Sequence, residues 1–424
     1  MLNAGIMTTN ALEDQLIELV PADRPSEPPG AVVIGGAIGA LGLVRSLGRR
    51  GIPTLLIAAD YYLAQSSRYM RGRLPPLPLN DHSQAAASLL KIAEGYRLDG
   101  WALFPCIDSA VEMIARHHAE LSGTFRLTTA PWETLQWVHD KRFVYRRAAE
   151  IGLAHPHTYC ANGMQQVAAL ECRYPVILKP ASREGRNALT LDKAWMIENR
   201  QELLERYAEA CAFMNHEKII IQEFVPGGGE AQYSYAALWN RGCAVASLVA
   251  KRRRQYPIDF GHTSTYVETV EEPEVEEISE RFLRGIRYSG VVEMEYKRDA
   301  RDGRYKLLDV NPRLWTWHTI SCRAGIDFPY LMWQVISGRD VPRLRGRLGS
   351  AWVHLSKDLL AAFQEIRRGR LSIPAYVRSL LRPRLEFAVA AGDDPLPALC
   401  DPPLLFCGAL KRCISRAHHF HSTR

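Results

Sequence analysis

Hydrophobic positions along this chain follow two successive rhythms. From Ala31, AVVIGG reads as a short buried strand, and AIGALGLVRSLGRRG as a helix closed by Gly51. PTLLIAAD is a second apolar run ending at Asp60; a helix around Ser83 to Tyr96, a strand WALFP and a helix from Ser109 to Glu120 follow. Asp108 is placed to cap that last helix. Strands alternating with helices predict a parallel, doubly wound sheet, a fold class that binds ligands beyond the carboxyl ends of its strands.

After Thr129 the rhythm changes. APWETLQWVHDKRFVYRRAAEIGL is helical with a break at Asp140 and Lys141, and YPVILKP is a buried strand. The polar loop ASREGRNALT, the amphipathic helix NRQELLERYAEACAF and the strand KIIIQEFV come next. PGGGEAQYSYAAL and CAVASLVAKRR form an expected antiparallel pair, and a helix over about Glu274 to Arg287 leads into RYSGVVEMEYKRDARDGRYKLLDVNPR. There Val291, Glu293 and Glu295 alternate with Val292, Met294 and Tyr296, so both glutamates share one strand face. DARDG suits a hairpin turn, and a strand from Tyr305 to Val310 brings Asp309, Asn311 and Arg313 to the same edge. The order predicts a tail over 1–29, a parallel-sheet domain over 30–128 and an α+β domain over 129–340, with a small lobe at about 155–225. A basic, mostly helical extension over 341–424 completes the chain.

Composition narrows the function only by exclusion. The 424 residues are 47% hydrophobic and 23% charged, with a net charge of +7, which makes no case for a nucleic-acid partner. No apolar run approaches the roughly 20 residues of a membrane-spanning helix. The start, MLNAGIMTTNALEDQL, lacks the basic and apolar regions of a secretory signal, and Met7 is as good a start as Met1. Nine cysteines with no CxxC pair fit reduced thiols in a cytoplasm. The arginine-rich runs RLRGRLG, IRRGR and RPRLE read as a solvated helical appendage; docking to an acidic protein, a carrier protein or an anionic membrane surface are the other readings. The tail HHFH, with Cys407 and Cys413, is a frayed terminus or a soft-metal ligand set.

The chemistry concentrates between Lys141 and Arg313. Lys141 sits in a helix break and Lys179 ends an apolar strand, so each ammonium needs a polar partner, and a nucleotide phosphate is one answer. The loop SREGRN offers backbone N–H groups, a hydroxyl and a flexible glycine that can close over phosphates. IIIQEFVPGGGE runs from a strand into a hinge, whose backbone near Glu223, Phe224 and Val225 suits an adenine edge, with Glu230 near a ribose. Glu295, Asp309 and Asn311 are hard oxygen ligands of the kind Mg²⁺ takes alongside phosphates, and Glu293 competes with Glu295 for that role. Arg252, Arg253 and Arg254 can bind a phosphate or an acidic substrate, or form a solvated basic edge. Gly36, Gly39 and Gly42, with Asp60 beyond, leave open a dinucleotide site, although GGAIGALG is not GxGxxG; the other reading is a tight turn with close helix packing.

Taken in order, Lys141, YPVILKPAS, REGRN, QEFVPGGGE, VVEMEYK and LLDVNPR resemble the ATP-grasp superfamily of carboxylate–amine ligases. The resemblance spans Ala31 to Asp340 and implies a Rossmann-like domain preceding a two-lobed grasp. It implies that Lys141 and Lys179 contact ATP phosphates beneath a loop containing Ser182, Gly185, Arg186 and Asn187. Glu223, Phe224 and Val225 would hold adenine, Glu230 the ribose, and Glu295, Asp309 and Asn311 one or two Mg²⁺ ions, with Mn²⁺ as a substitute. Lys179 and Arg313 are the catalytic expectations, and Arg252, Arg254 and Arg313 the substrate contacts. The family often carries Glu where this chain has Asp309. The implied reaction joins a carboxylate to an amine through an acyl phosphate, with ADP released and small molecules as partners. A homodimer is the default association. A non-catalytic ATP-binding protein of the same fold and a nicotinamide-dependent oxidoreductase are the alternatives.

Overall fold

The structure, a computed structural model, describes residues 27–59, 62–159, 161–181, 187–258 and 263–408. Strands β1 (Ala31–Ile34), β2 (Thr54–Ile57), β3 (Met70–Arg73), β4 (Ala102–Pro105) and β5 (Arg126–Leu127) form a parallel sheet in the order β3-β2-β1-β4-β5. Every residue of β1 and β4 is buried, because helices cover both faces of such a sheet. The next four strands, β6 (Thr158–Tyr159), β7 (Val176–Pro180), β8 (Trp195–Ile197) and β9 (Ile219–Glu223), make an antiparallel sheet in the order β6-β9-β7-β8. Its apolar face packs on the helix Arg200–Cys211 through Leu203, Tyr207 and Ala210.

The largest sheet has eight strands. Its path is β14 (Tyr305–Asn311), β13 (Gly290–Arg298), β10 (Gln232–Asn240), β11 (Cys243–Tyr256), β12 (Thr263–Val270), β16 (Ala351–Val353) and β17 (Leu385–Phe387). The short β15 (Leu344–Arg345) pairs with β11 off that path. The α/β then α+β expectation describes this architecture. One face of the sheet packs on the helices between Trp132 and Glu150 and on Pro273–Gly285. The other face shares a core with the helix Ile38–Gly48 and with Trp315, Trp317, Phe328 and Trp333, which joins the first domain to the large sheet.

Two expectations change. The helix expected over Ser109 to Glu120 is split into Asp108–Arg116 and His118–Ser122, and Asp108 does not cap it. Ile107 is the N-cap, and the Asp108 carboxylate is taken by the Arg313 guanidinium instead, an ionised partner that outcompetes a backbone amide. The arginine-rich extension is also more than a solvated appendage. It contributes β15, β16 and β17 as well as the helices Leu355–Arg367 and Ile373–Leu380 and a helix over 396–408. Its Asp394, fully buried, accepts hydrogen bonds from Arg45 Nε at 2.9 Å, Ser67 Oγ at 2.7 Å and the Arg68 amide at 3.0 Å, which ties it to the first domain.

The helix Ile38–Gly48 explains its glycines by packing. A Cβ at Gly42 would lie 2.5 Å from Thr319 Cγ2 and 2.6 Å from His318 Nε2, while His318 Nε2 donates to the Gly39 carbonyl oxygen at 3.0 Å. The glycine face is therefore filled by protein, and Asp60 lies outside the described residues. Gly42→Ala is expected to lower stability by about 1–3 kcal/mol through overpacking, read as a fall in the thermal midpoint. An unchanged midpoint would mean that the 314–319 segment can move aside.

Candidate functional site

The pairing of β13 with β14 builds the acidic centre. Glu295 faces Asp309 and Glu293 faces Asn311 across the two strands. Asn311 Nδ2 donates to Glu295 Oε1 at 3.0 Å and to Glu293 Oε2 at 3.3 Å, so one amide bridges both glutamates. Glu293 is buried behind the centre, where Ser234 Oγ donates to it at 3.1 Å. Burial, then the neighbouring Glu295 charge, pushes the Glu293 carboxyl up to about 8. Glu295 instead lines the open cleft with Asp309.

Two lysines converge on the same cleft. Lys141 follows the helix-capping Asp140, and its Nζ pairs with Asp309 Oδ1 at 2.9 Å. Lys179, near the end of β7, is 7% exposed and donates to Tyr145 Oη at 2.7 Å; Tyr145 in turn donates to the Leu308 carbonyl at 2.7 Å. Burial drives the Lys179 ammonium down to about 8, against the opposing pull of Asp309 and Glu295. Lys141, Lys179, Arg252, Glu295 and Asp309 line one cleft.

A second cleft adjoins it, sharing Lys179, Gln232 and Leu308. Glu223, Phe224, Val225, Gly227 and Gly228 line it, as the hinge reading expects. The Glu223 carboxylate is not free for a ligand: Lys306 Nζ lies 2.8 Å from Oε1, Arg301 3.1 Å from Oε2, and the His157 amide donates to Oε1 at 2.9 Å. Those cations, with hydrogen bonding from Lys306, outweigh partial burial and hold its carboxyl below the ordinary range. Asp299, fully buried, holds Arg301 and Lys306 in turn, so the hairpin turn is clamped onto β9. Glu230 stands beside the hinge, accepting from the Gly228 amide at 3.1 Å.

The arginines separate. Arg252 points into the cleft, 3.6 Å from Glu295 and 3.2 Å from Gln255 Oε1. Arg313 is held by Asp108, at 2.5 and 3.2 Å, next to the acidic centre and the carboxyl end of β4. Arg254 is not brought to the site. Its guanidinium grips the fully buried Asp358 at 2.9 and 2.8 Å and stacks 4.1 Å from the Tyr266 ring, because β11 is bulged near it and turns it toward the extension. Asn187 caps the helix Ala188–Asp192. Ser182, Gly185 and Arg186 lie outside the described residues, as do Cys413 and the HHFH tail.

Lys297 and Gln255, which line the hinge cleft, and Tyr145, which accepts from Lys179, were not anticipated. Lys297 is buried in the hinge cleft and pushed down to about 8 by desolvation. The strand alternation that flagged Glu293 and Glu295 continues to Lys297, so the signal was present. Tyr145 and Gln255 carried none, since one is a helical aromatic and the other an ordinary strand polar residue.

Glu293, Glu295, Asp309 and Asn311 present hard oxygens beside lysines, which fits Mg²⁺ and its phosphate ligands by chemistry. Among the described residues, no three His, Cys, Asp or Glu side chains converge as a metal-binding group. Asn311 bridges the two glutamates, and Lys141 pairs with Asp309.

Residues 216–354 match the family model described as ATP-grasp in the biosynthetic pathway with Ter operon. A D-aspartate ligase from Enterococcus faecium (strain Aus0004) is 26% identical over 232 residues, covering 50% of this chain and 53% of that protein. The match thus spans about half the length of that curated relative. An L-amino acid ligase from Bacillus licheniformis superposes with a TM-score of 0.56 at 16% identity, over 73% of this chain and 75% of its own. The biotin carboxylase domain of Hydrogenobacter thermophilus 2-oxoglutarate carboxylase, solved with MgADP, ADP and bicarbonate, gives 0.60 at 14% identity, over 77% and 73%. No helix among the described residues is long and apolar enough to cross a membrane.

Proposed function

Since this chain is a member of the ATP-grasp superfamily, we propose that it is an ADP-forming ligase that activates a carboxylate with ATP and couples it to an amine. The observation that carries the reading is the convergence of Lys141, Lys179, Arg252, Glu295 and Asp309 on one cleft that adjoins a hinge. Amino-acid-like substrates, joined by an amide or peptide bond in the cytoplasm, are the proposal that kinship with a D-aspartate ligase and an L-amino acid ligase supports.

In this reading the hinge backbone at Glu223 to Val225 takes the adenine edge, Glu230 the ribose, and Lys141 and Lys179 the phosphates. The clamp of Arg301 and Lys306 on Glu223 keeps that hinge backbone in place. Mg²⁺, held by Asp309 and Asn311 with Glu295 or Glu293, supplies charge neutralisation at the phosphates when bound. A substrate carboxylate oxygen attacks the γ-phosphorus, and the bond to the bridging oxygen of ADP breaks. The amine nitrogen then attacks the acyl carbon, inorganic phosphate leaves and the amine loses a proton. Arg313, oriented by Asp108, is the group available to hold the carboxylate or the developing oxyanion.

Phosphate release with Mg-ATP, measured across a panel of acids and amines, tests this. Release that requires both an acid and an amine is the expected result. Nucleotide binding without release across a broad panel would make the chain a binding module, and NAD binding without ATP binding would overturn the assignment.

A further inference from the structure

The outer faces of two extension helices, Leu355–Arg367 and Ile373–Leu380, carry large apolar groups in the open. Leu355, Leu359 and Phe363 recur four residues apart along Leu355–Arg367, and Ile373, Val377 and Leu381 do so along Ile373–Leu380 and its C-cap. Their exposure runs from 38% at Leu355 to 75% at Leu381, whereas a helix of a closed globular surface turns such a stripe inward. The inner faces of both helices are already satisfied, and by the same residue. Arg254 holds Asp358 of the first helix, and its Nη2 reaches Ser379 Oγ of the second at 3.1 Å, with the Tyr376 ring 5.0 Å away. Both apolar stripes are therefore turned away from one point of the large sheet.

Charge selects the occupant. Between Leu355 and Arg384 the sequence has seven Lys and Arg against two acidic residues, and one of those acids, Asp358, is buried in the Arg254 pair. Arg367, Arg368 and Arg370 fill the turn between the helices, and the Arg367 guanidinium lies 5.8 Å from the Phe363 ring. Protruding apolar side chains ringed by arginines match a headgroup–acyl boundary: the side chains enter it while the guanidiniums meet lipid phosphates. We propose that this face docks the protein peripherally on a bilayer rich in anionic lipid. The inference does not depend on the ligase reading.

Flotation of the full chain with phosphatidylglycerol–phosphatidylcholine vesicles, against phosphatidylcholine alone, tests it. Binding to the anionic vesicles should be tighter by about tenfold or more and should weaken with salt. Two variants, Phe363→Glu with Leu381→Glu, and Arg367→Ala with Arg368→Ala and Arg370→Ala, should each weaken it by about tenfold or more. All the substituted positions are exposed, so circular dichroism and elution volume should match the parent. Absence of binding to anionic vesicles at low salt, or equal binding by either variant, would overturn the proposal. So would a concentration-dependent dimer abolished by Phe363→Glu with Leu381→Glu, which would assign the face to a second copy of the chain.

Discussion

Replacing Lys179 with alanine is expected to lower ATP turnover by roughly 10²–10³-fold, the usual loss for one preorganised charged donor in a dry site. The ammonium is buried, donates to Tyr145 Oη, and faces the cleft that Asp309 and Glu295 also line. Burial disfavours the charged form and lowers its pKa from 10.5 to about 8. A lowered lysine pKa means that this group opposes folding most at pH below 8 and relaxes that opposition as pH rises from about 8 toward 10.5. The variant should therefore fold normally, and Lys179→Met, which keeps the volume, should be at least as stable as the parent.

The same reasoning predicts a pH signature. Lys179 and Lys297 both lose their charge near pH 8, so nucleotide affinity should fall above that pH as two positive charges leave the cleft. In Lys179→Met, the part of that fall due to Lys179 should disappear and the part due to Lys297 remain. Near-normal turnover in the alanine variant, or an unchanged pH profile in the methionine variant, would remove Lys179 from the site.

Why the sequence reveals some of this and hides the rest follows from range. Strand alternation is local, so Glu293, Glu295 and the hairpin could be read from spacing, and β13 and β14 pair as that spacing requires. The lysines at a helix break and a strand end were legible for the same reason. Partner choice is not local. Asp108 and Arg313 are distant in sequence, and an aspartate before a helix looks like a cap until the guanidinium arrives. Arg254 looked like a substrate contact beside Arg252, yet a β-bulge sends it to Asp358 on a helix of the extension. The extension itself read as a solvated appendage because arginine dominated its composition, while the buried aspartates that anchor it, Asp358 and Asp394, leave no compositional trace.

Asp309→Asn should be the other severe substitution, and its signature should be in the metal dependence. Asparagine keeps the size of the side chain and one carbonyl oxygen but removes the negative charge that Lys141 meets at 2.9 Å. Half-saturating Mg²⁺ should rise by about tenfold or more, the scale on which the loss of one ligand-shell interaction weakens metal binding, with turnover falling alongside. Because Lys141 and Asp309 touch, a Lys141→Met, Asp309→Asn double variant should lose less than the sum of the single losses. The two glutamates should then separate. Glu295 lines the cleft while Glu293 sits behind it, bonded to Ser234 and Asn311. Glu295→Gln should therefore raise the Mg²⁺ requirement more than Glu293→Gln, whose effect should fall mainly on stability because a buried bridge is altered. Unchanged Mg²⁺ dependence in Asp309→Asn and Glu295→Gln together would leave the hairpin as a charged structural edge.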